Sequence, residues 1–256
     1  MNILCPVCKN ILHKSNKFYS CENRHSFDIA KEGYLNLNLK NSQKSGDNAE
    51  MIKARKAFLE KDYYSFLREE VDKYIKTDDE LLDLACGEGY YTSYFKARNK
   101  IGIDLSKTGL KIASKADKTT TYLLCSIFHT PLQDSSADVI LTIFAPVAKE
   151  EIIRILKDDG IFILVRPDRD HLFELKEKIY EHPYYNEVEK FSFSGLNTYK
   201  QIPIRKTMTV RKEDLNNLFM MTPYYNTTSN ADKEKLKDLD DLPVTFSFLI
   251  DIYQKS

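Results

Sequence analysis

The chain has 256 residues, 42% of them hydrophobic, which suits a packed core in one or two domains and excludes a disordered, collagen-like or mucin-like polypeptide. Its 38 basic and 38 acidic residues cancel, but residues 1–45 hold seven Lys or Arg against three Asp or Glu. No apolar run approaches the ~18–20 residues of a membrane span, no signal-peptide pattern opens the chain, and five cysteines suit a reducing cytoplasm better than a disulfide scaffold.

Residues 1–40 hold too few core-sized side chains to fold by burial alone. Cys5-x2-Cys8, then Cys21-x3-His25, bring two pairs of ligands from two turns, as a closed tetrahedral zinc site requires. A redox Cys-x-x-Cys pair or free core cysteines are the rival readings. Redox motifs sit at strand-to-helix junctions of larger domains, and none surrounds Cys5. His13 is a rival fourth ligand, but it lies too close to the first pair to close the ring. Lys9, Lys14, Lys17, Arg24 and Lys31 interleave with Phe18, Tyr19 and Phe27. That mixture suits phosphate contact and base stacking, so 1–40 reads as a zinc-binding RNA-recognition module. Its plain alternative is a solvated basic face over a small aromatic core.

Residues 41–79 read as a linker and bridging helices. Asp47 and Glu50 have capping-box spacing, and apolar residues from Met51 to Tyr74 follow at helical intervals. From residue 80 the grammar changes. Strand-like runs at 81–85, 100–104, 121–125, 138–144 and 160–166 alternate with helix-like stretches at 90–98, 106–116, 149–157 and 169–181. That alternation predicts a mostly parallel sheet covered on both faces, an α/β fold over residues 80–256. Residues 202–210 and 243–252 alternate apolar and polar around a helix at 211–221, which predicts antiparallel strands finishing one edge. Residues 226–241 read as an exposed loop or short helix.

The first strand runs into Asp83-Leu84-Ala85-Cys86-Gly87-Glu88-Gly89, with a helix expected to open at Tyr90. Glycines two apart let a ligand approach the backbone, and a helix N-terminus presents free N–H groups. Asp83 places a carboxylate for a cationic amino group. Asp104, ending the second strand, suits two ribose hydroxyls. A cationic amino acid joined to adenosine is S-adenosylmethionine, so the fold reads as a class I, Rossmann-like methyltransferase. The bland reading is a tight turn with no ligand. Cys86 reads as a small turn-packing residue and not a nucleophile. Phe144 and Pro146 end the fourth strand, where the methyl group is presented, and suit the acceptor base. Asp168 is the candidate base for its proton.

These residues resemble one family, the RlmA-type guanine-N1 methyltransferases of bacterial large-subunit ribosomal RNA. The resemblance rests on Cys-Pro-Val-Cys at 5–8, Asp28-Ile-Ala-Lys-Glu-Gly-Tyr-Leu-Asn-Leu37 and Gly46-Asp-Asn-Ala-Glu-Met-Ile-Lys-Ala-Arg-Lys-Ala-Phe-Leu59. It continues through Cys86-Gly-Glu-Gly-Tyr-Tyr-Thr92, Phe144-Ala-Pro146, His171-Leu172 and Met221-Thr-Pro-Tyr224. It implies zinc on Cys5, Cys8, Cys21 and His25. It implies S-adenosylmethionine contacts at Tyr64, Gly87, Glu88 and His171, beside those read at Asp83, Gly89 and Asp104. It also implies a homodimer and a guanine in a domain II hairpin near the peptide exit tunnel. Two related guanines are targets in the family, one tied to macrolide-type resistance. The family's usual Pro-Gly-Pro-Arg-His reads Pro167-Asp-Arg-Asp-His171 here, and the Trp that often follows Thr-Pro is missing. Two other readings stand beside this one: a small-molecule methyltransferase with a structural zinc knuckle, and a binding module with a vestigial pocket.

Overall fold

The computed structural model describes residues 1–39 and 48–255. The chain opens with a three-stranded antiparallel sheet, β1 (His13–Lys14), β2 (Phe18–Ser20) and β3 (Ser26–Asp28). Strand β4 (Leu35–Asn36) then leaves this module and pairs parallel with β7 (Thr120–Leu124). Helices α1 (Ala49–Leu59) and α2 (Ser65–Asp72) lead into β5 (Glu80–Leu84), β6 (Asn99–Asp104) and α3 (Lys107–Ala116). After β7 come β8 (Ala137–Ile143), α4 (Lys149–Ile155), β9 (Leu156–Pro167) and α5 (Phe173–Ile179). The chain ends with β10 (Leu196–Val210), α6 (Lys212–Met220), α7 (Asn230–Glu234) and β11 (Leu242–Lys255).

These strands form an eight-stranded sheet in the order β10-β11-β9-β8-β5-β6-β7-β4. Pairing is parallel from β9 to β4 and antiparallel at β9-β11-β10, so the tail does finish one edge. The other edge is finished by β4. Strand side chains alternate between two apolar layers, as a two-fold period dictates. Leu82, Leu84, Ile101 and Ile140 pack with Cys5, Leu12, Tyr19, Leu35 and Ile152. Leu81, Val139, Leu141 and Ile163 pack with Phe58, Leu67, Leu175 and Phe219. The zinc-ligand module thus shares its core with the sheet.

Asn48 caps α1, its side chain accepting from the N–H groups of Glu50 and Met51 at 3.0 and 2.9 Å. The Asp47 expected in that role, with the rest of the 41–47 linker, lies outside the described residues. The helix expected at 90–98 is absent, and turns run through Tyr94 instead. Thr92 ties this segment to the sheet: its hydroxyl donates to Asp83, and its carbonyl accepts from the buried Lys100 ammonium at 3.0 Å. Tyr90, Tyr91 and Tyr94 add little helix propensity against that. Helix α5 is shorter than the expected 169–181, because Leu172 stands at φ 59° and blocks an earlier start. Among the described residues, no helix is long and apolar enough to cross a membrane.

Candidate active site and metal centre

In the N-terminal module, the thiols of Cys5, Cys8 and Cys21 and a ring nitrogen of His25 lie within 4.8 Å of one another. Cys21 Sγ is 3.6 Å from Cys8 Sγ and 3.4 Å from His25 Nδ1, and Cys5 Sγ is 3.5 Å from the same nitrogen. Zinc bonds of about 2.3 Å to sulfur and 2.0–2.1 Å to nitrogen give tetrahedron edges of roughly 3.4–3.8 Å, so the four atoms fit that ion. His13, in β1, is exposed and stands apart from them. Two tight turns shape the set. Lys9, after Cys8, and Arg24, before His25, both take φ of 64°. Lys9 N–H donates to Cys5 O, and Arg24 N–H to Cys21 O, both at 2.9 Å. The Cys8 thiol is pushed down to about 6, first by a backbone hydrogen bond from Asn10. Lys14, Lys17 and Arg24 are exposed on this module, and Phe18 is 38% exposed. Tyr19 departs from the expected basic and aromatic face: it is buried against the sheet.

The glycine turn follows β5. Gly87 takes φ 56° and donates its N–H to Asp104 Oδ2 at 2.8 Å; Asp104 Oδ1 accepts from Ser106 N–H at 2.6 Å. Gly89 N–H donates to Cys86 O at 3.0 Å. With no helix at Tyr90, these N–H groups serve the turn and are not offered as a helix terminus. A Cβ on Gly89 would come within 2.9 Å of Ala113 Cβ and Tyr122 Oη, and one on Gly109 within 2.8 Å of Gly87 O. Among the described residues, a Cβ on Gly87 would meet nothing nearer than Arg55 Nη1 at 3.7 Å. Gly89 and Gly109 therefore serve close packing, while Gly87 borders room for a ligand. Cys86 is buried, its sulfur against Gly102, as a turn-packing residue should be.

Three carboxylates meet at this turn. Asp83 is buried and its carboxyl is pushed up to about 7, by burial first, with Asp104 and Glu88 adding to the rise against Thr92. Glu88 is buried and its Oε2 lies 3.9 Å from Arg55 Nη1 on α1. A carboxylate cluster beside an open glycine face has the chemistry to hold a cationic ligand. Sequence reasoning passed over Arg55; its one signal was its place inside the Gly46-to-Leu59 segment.

A second cluster gathers around Tyr64, which is buried at the start of α2. Its Oη is 3.4 Å from His171 Nε2, and its ring packs edge-on to Phe246, Phe248 and Phe144. Ser247 N–H donates to His171 Nδ1 at 3.3 Å, which leaves the ring proton on Nε2, directed to the Tyr64 oxygen. Burial, helped by the Lys176 charge, lowers His171 to about 3, so its ring is neutral. The structure therefore joins Tyr64, His171 and Phe144. Asp168 stands on the same turn, its carboxylate accepting from Ser247 Oγ at 3.2 Å and Arg169 N–H at 2.7 Å.

Backbone strain marks the same end of the sheet. Ala85 after β5, Phe144 after β8 and Leu172 beyond β9 have φ of 69°, 54° and 59°. Non-glycine residues rarely hold that conformation, and it concentrates at functional sites. Phe144 nevertheless keeps its ring 40% exposed, and Pro146 beside it is exposed too. Ligands bind at the carboxyl ends of strands in open α/β sheets, which is where this strain lies.

Two family models match the chain: "RlmA, N-terminal" over residues 3–44 and "Methyltransferase domain" over residues 82–164. The YcgJ protein of Bacillus subtilis, a crystal structure, is 16% identical with a TM-score of 0.48, over 74% of this chain and 98% of its own. The two family matches, with the four-ligand set and the glycine turn, define a class I, S-adenosylmethionine-dependent methyltransferase that carries an N-terminal zinc ribbon. A putative 23S rRNA (guanine-N1)-methyltransferase of Bacillus subtilis, YxjB, is 30% identical over 94% of this chain and 93% of its own length. The 23S rRNA (guanine(748)-N1)-methyltransferase of Streptomyces fradiae is 31% identical over 68% of this chain and 66% of its own. The chain belongs to the RlmA-type family of 23S rRNA guanine-N1 methyltransferases.

Proposed function

We propose that the protein transfers a methyl group from S-adenosylmethionine to N1 of a guanine in a domain II hairpin of large-subunit ribosomal RNA, as a cytoplasmic homodimer. The observation that carries this is the likeness to YxjB along 94% of the chain, which takes in ribbon and methyltransferase domain together. We divide the chain into a ribbon at 1–40, a bridging region at 41–79 and a methyltransferase domain at 80–256. Cys5, Cys8, Cys21 and His25 would hold one zinc ion with no vacant position, so that it organises the fold and activates no water. Asp83, Gly87, Glu88, Gly89 and Asp104, with Tyr64 and His171 beside them, would hold S-adenosylmethionine, whose sulfonium supplies an electrophilic methyl group.

The chain's own residues do the orienting. Phe144 offers an exposed ring for the guanine to stack on, and Pro146 lies at its edge. A paired guanine has to leave its stack to reach them. Its N1 proton needs an acceptor. A neutral His171, bonded at both ring nitrogens, is a poor one, and Asp168 on the same turn takes the role. Methyl transfer to a synthetic domain II hairpin tests the reading. Digestion should release 1-methylguanosine; a chain that methylates only small molecules would overturn it.

The raised Asp83 carboxyl sets a pH dependence. The folded chain keeps a proton that the unfolded chain loses near pH 4, so stability should fall as pH rises from about 4 to 7 and then level off. A cation at Asp83 favours the ionised form. The rise in melting temperature on adding S-adenosylmethionine should therefore be larger at pH 8 than at pH 6. A rise that is flat or shrinks with pH would remove Asp83 from the cofactor site.

Lys14, Lys17 and Arg24 are assigned to RNA phosphates. Replacing all three with Ser should lower the salt slope of hairpin binding by roughly 2–3, at about 0.7–0.9 per lost contact, and leave cofactor affinity unchanged. Parallel salt titrations with equal intercepts would make this face plain solvated surface.

A further inference from the structure

The turn between β9 and α5 carries both Asp168 and His171, and three of its carbonyls are held by one distant residue. Asn186 N–H donates to Arg169 O at 2.8 Å. Asn186 Nδ2 donates to Asp168 O and to His171 O, each at 3.0 Å. The remaining amide atom, Oδ1, accepts from Lys176 Nζ at 2.7 Å. Lys176 is 1% exposed; its ammonium also donates to Tyr184 O at 3.2 Å and lies over the rings of Tyr184 and Tyr224 at 4.2 and 5.2 Å. A buried ammonium held by an amide, a carbonyl and two aromatic faces is a costly arrangement to keep for packing alone. The turn it supports also contains Leu172 at φ 59°, a conformation that persists only where its surroundings impose it.

We propose that Asn186 and Lys176 are positioning residues for the methyltransferase site: they fix the 168–172 turn so that His171 presents its Nε2 proton to Tyr64. This rests on the reading of that turn as part of the active site. The linkage is continuous. Asn186 holds the His171 carbonyl, Ser247 N–H fixes its tautomer, and Nε2 reaches Tyr64. Tyr64 in turn packs on Phe144 with ring centroids 6.2 Å apart. Release of the turn would therefore be felt at the exposed ring assigned to the guanine.

Asn186→Asp keeps the shape and an acceptor for Lys176 but loses both N–H donors; Asn186→Ala loses all three side-chain bonds. Loss of two hydrogen bonds should lower kcat by roughly 10- to 100-fold. Affinity for S-adenosylmethionine should fall with it, because His171 and Tyr64 are assigned to the cofactor, whereas KM for RNA should stay within about threefold, since Lys14, Lys17 and Arg24 lie on the ribbon. Nitrogen NMR of the His171 ring, assigned with His171→Asn, should show a single Nε2–H tautomer in the wild type and a mixture in the variants. A folded variant with wild-type kcat and the same single tautomer overturns the proposal. A single tautomer in the wild type that becomes a mixture in the variants, with no transfer to RNA by any of them, supports the positioning role and overturns the activity reading instead.

Discussion

Replacing Cys21 by Ala should unfold the ribbon and leave the methyltransferase domain able to bind its cofactor. The three short strands β1, β2 and β3 have two or three residues each, too few to hold together by pairing alone. Beside Leu12 and Tyr19, which pack against the sheet, what unites them is the four-atom set, in which Cys21 Sγ stands 3.6 Å from Cys8 and 3.4 Å from His25. Structural zinc contributes roughly 10–16 kcal/mol to the folding of small zinc domains, and that coupling makes the loss of one ligand severe. Hydrogen exchange should show residues 3–36 losing protection while β5, β8 and β9 keep theirs. Zinc content should fall from about one equivalent towards zero, and a chelator should reproduce the exchange pattern. Affinity for S-adenosylmethionine should change little, because Asp83, Gly87 and Asp104 lie on other elements. The pairing of β4 with β7 should be lost as well, since β4 leaves the ribbon directly. A Cys21→Ala protein whose ribbon stays protected would refute the zinc assignment.

The second large effect is expected at Asp104. Its carboxylate accepts from Gly87 N–H at 2.8 Å and Ser106 N–H at 2.6 Å, tying the glycine turn to the start of α3. Asp104→Ala removes both bonds and the acceptor proposed for the ribose. Bonds to an ionised acceptor are each worth about 1.5–3 kcal/mol, so a net loss of ~2–4 kcal/mol, or roughly 30- to 1000-fold in cofactor affinity, should follow. Calorimetry that returns wild-type affinity would take Asp104 out of the site. Gly87→Val gives a related contrast. The open side of Gly87 predicts loss of cofactor binding, with strain from φ 56° added, whereas Gly89→Val should damage the fold itself against Ala113 and Tyr122.

The central strands were legible because runs such as 139–141 and 161–165 are apolar at every position, as strands buried on both faces must be. The ribbon was legible because ligand spacing is local. The helix expected at 90–98 was misread because its residues answer to distant partners: Thr92 is tied to Asp83 through its hydroxyl and to Lys100 through its carbonyl. β4 escaped because two residues, Leu35 and Asn36, carry no periodic signal until β7 lies beside them. The same holds for the site. Asp83, Gly87 and Asp104 sit in one strand–turn–strand pattern and could be read directly. The left-handed backbone of Phe144, the reach of Arg55 to Glu88 and the hold of Asn186 on the His171 turn depend on contacts between segments far apart in the chain. No spacing rule records those.

Reverse transcription across domain II of 23S rRNA tests the central claim most directly. Methylation at guanine N1 blocks Watson–Crick pairing, so the enzyme stops one nucleotide before the modified base. RNA from cells containing this protein should give such a stop at a guanine of the domain II hairpin. RNA from a strain lacking the protein should be read through, and a plasmid copy should restore the stop. A stop that persists without the protein, or no stop in its presence, would contradict the account.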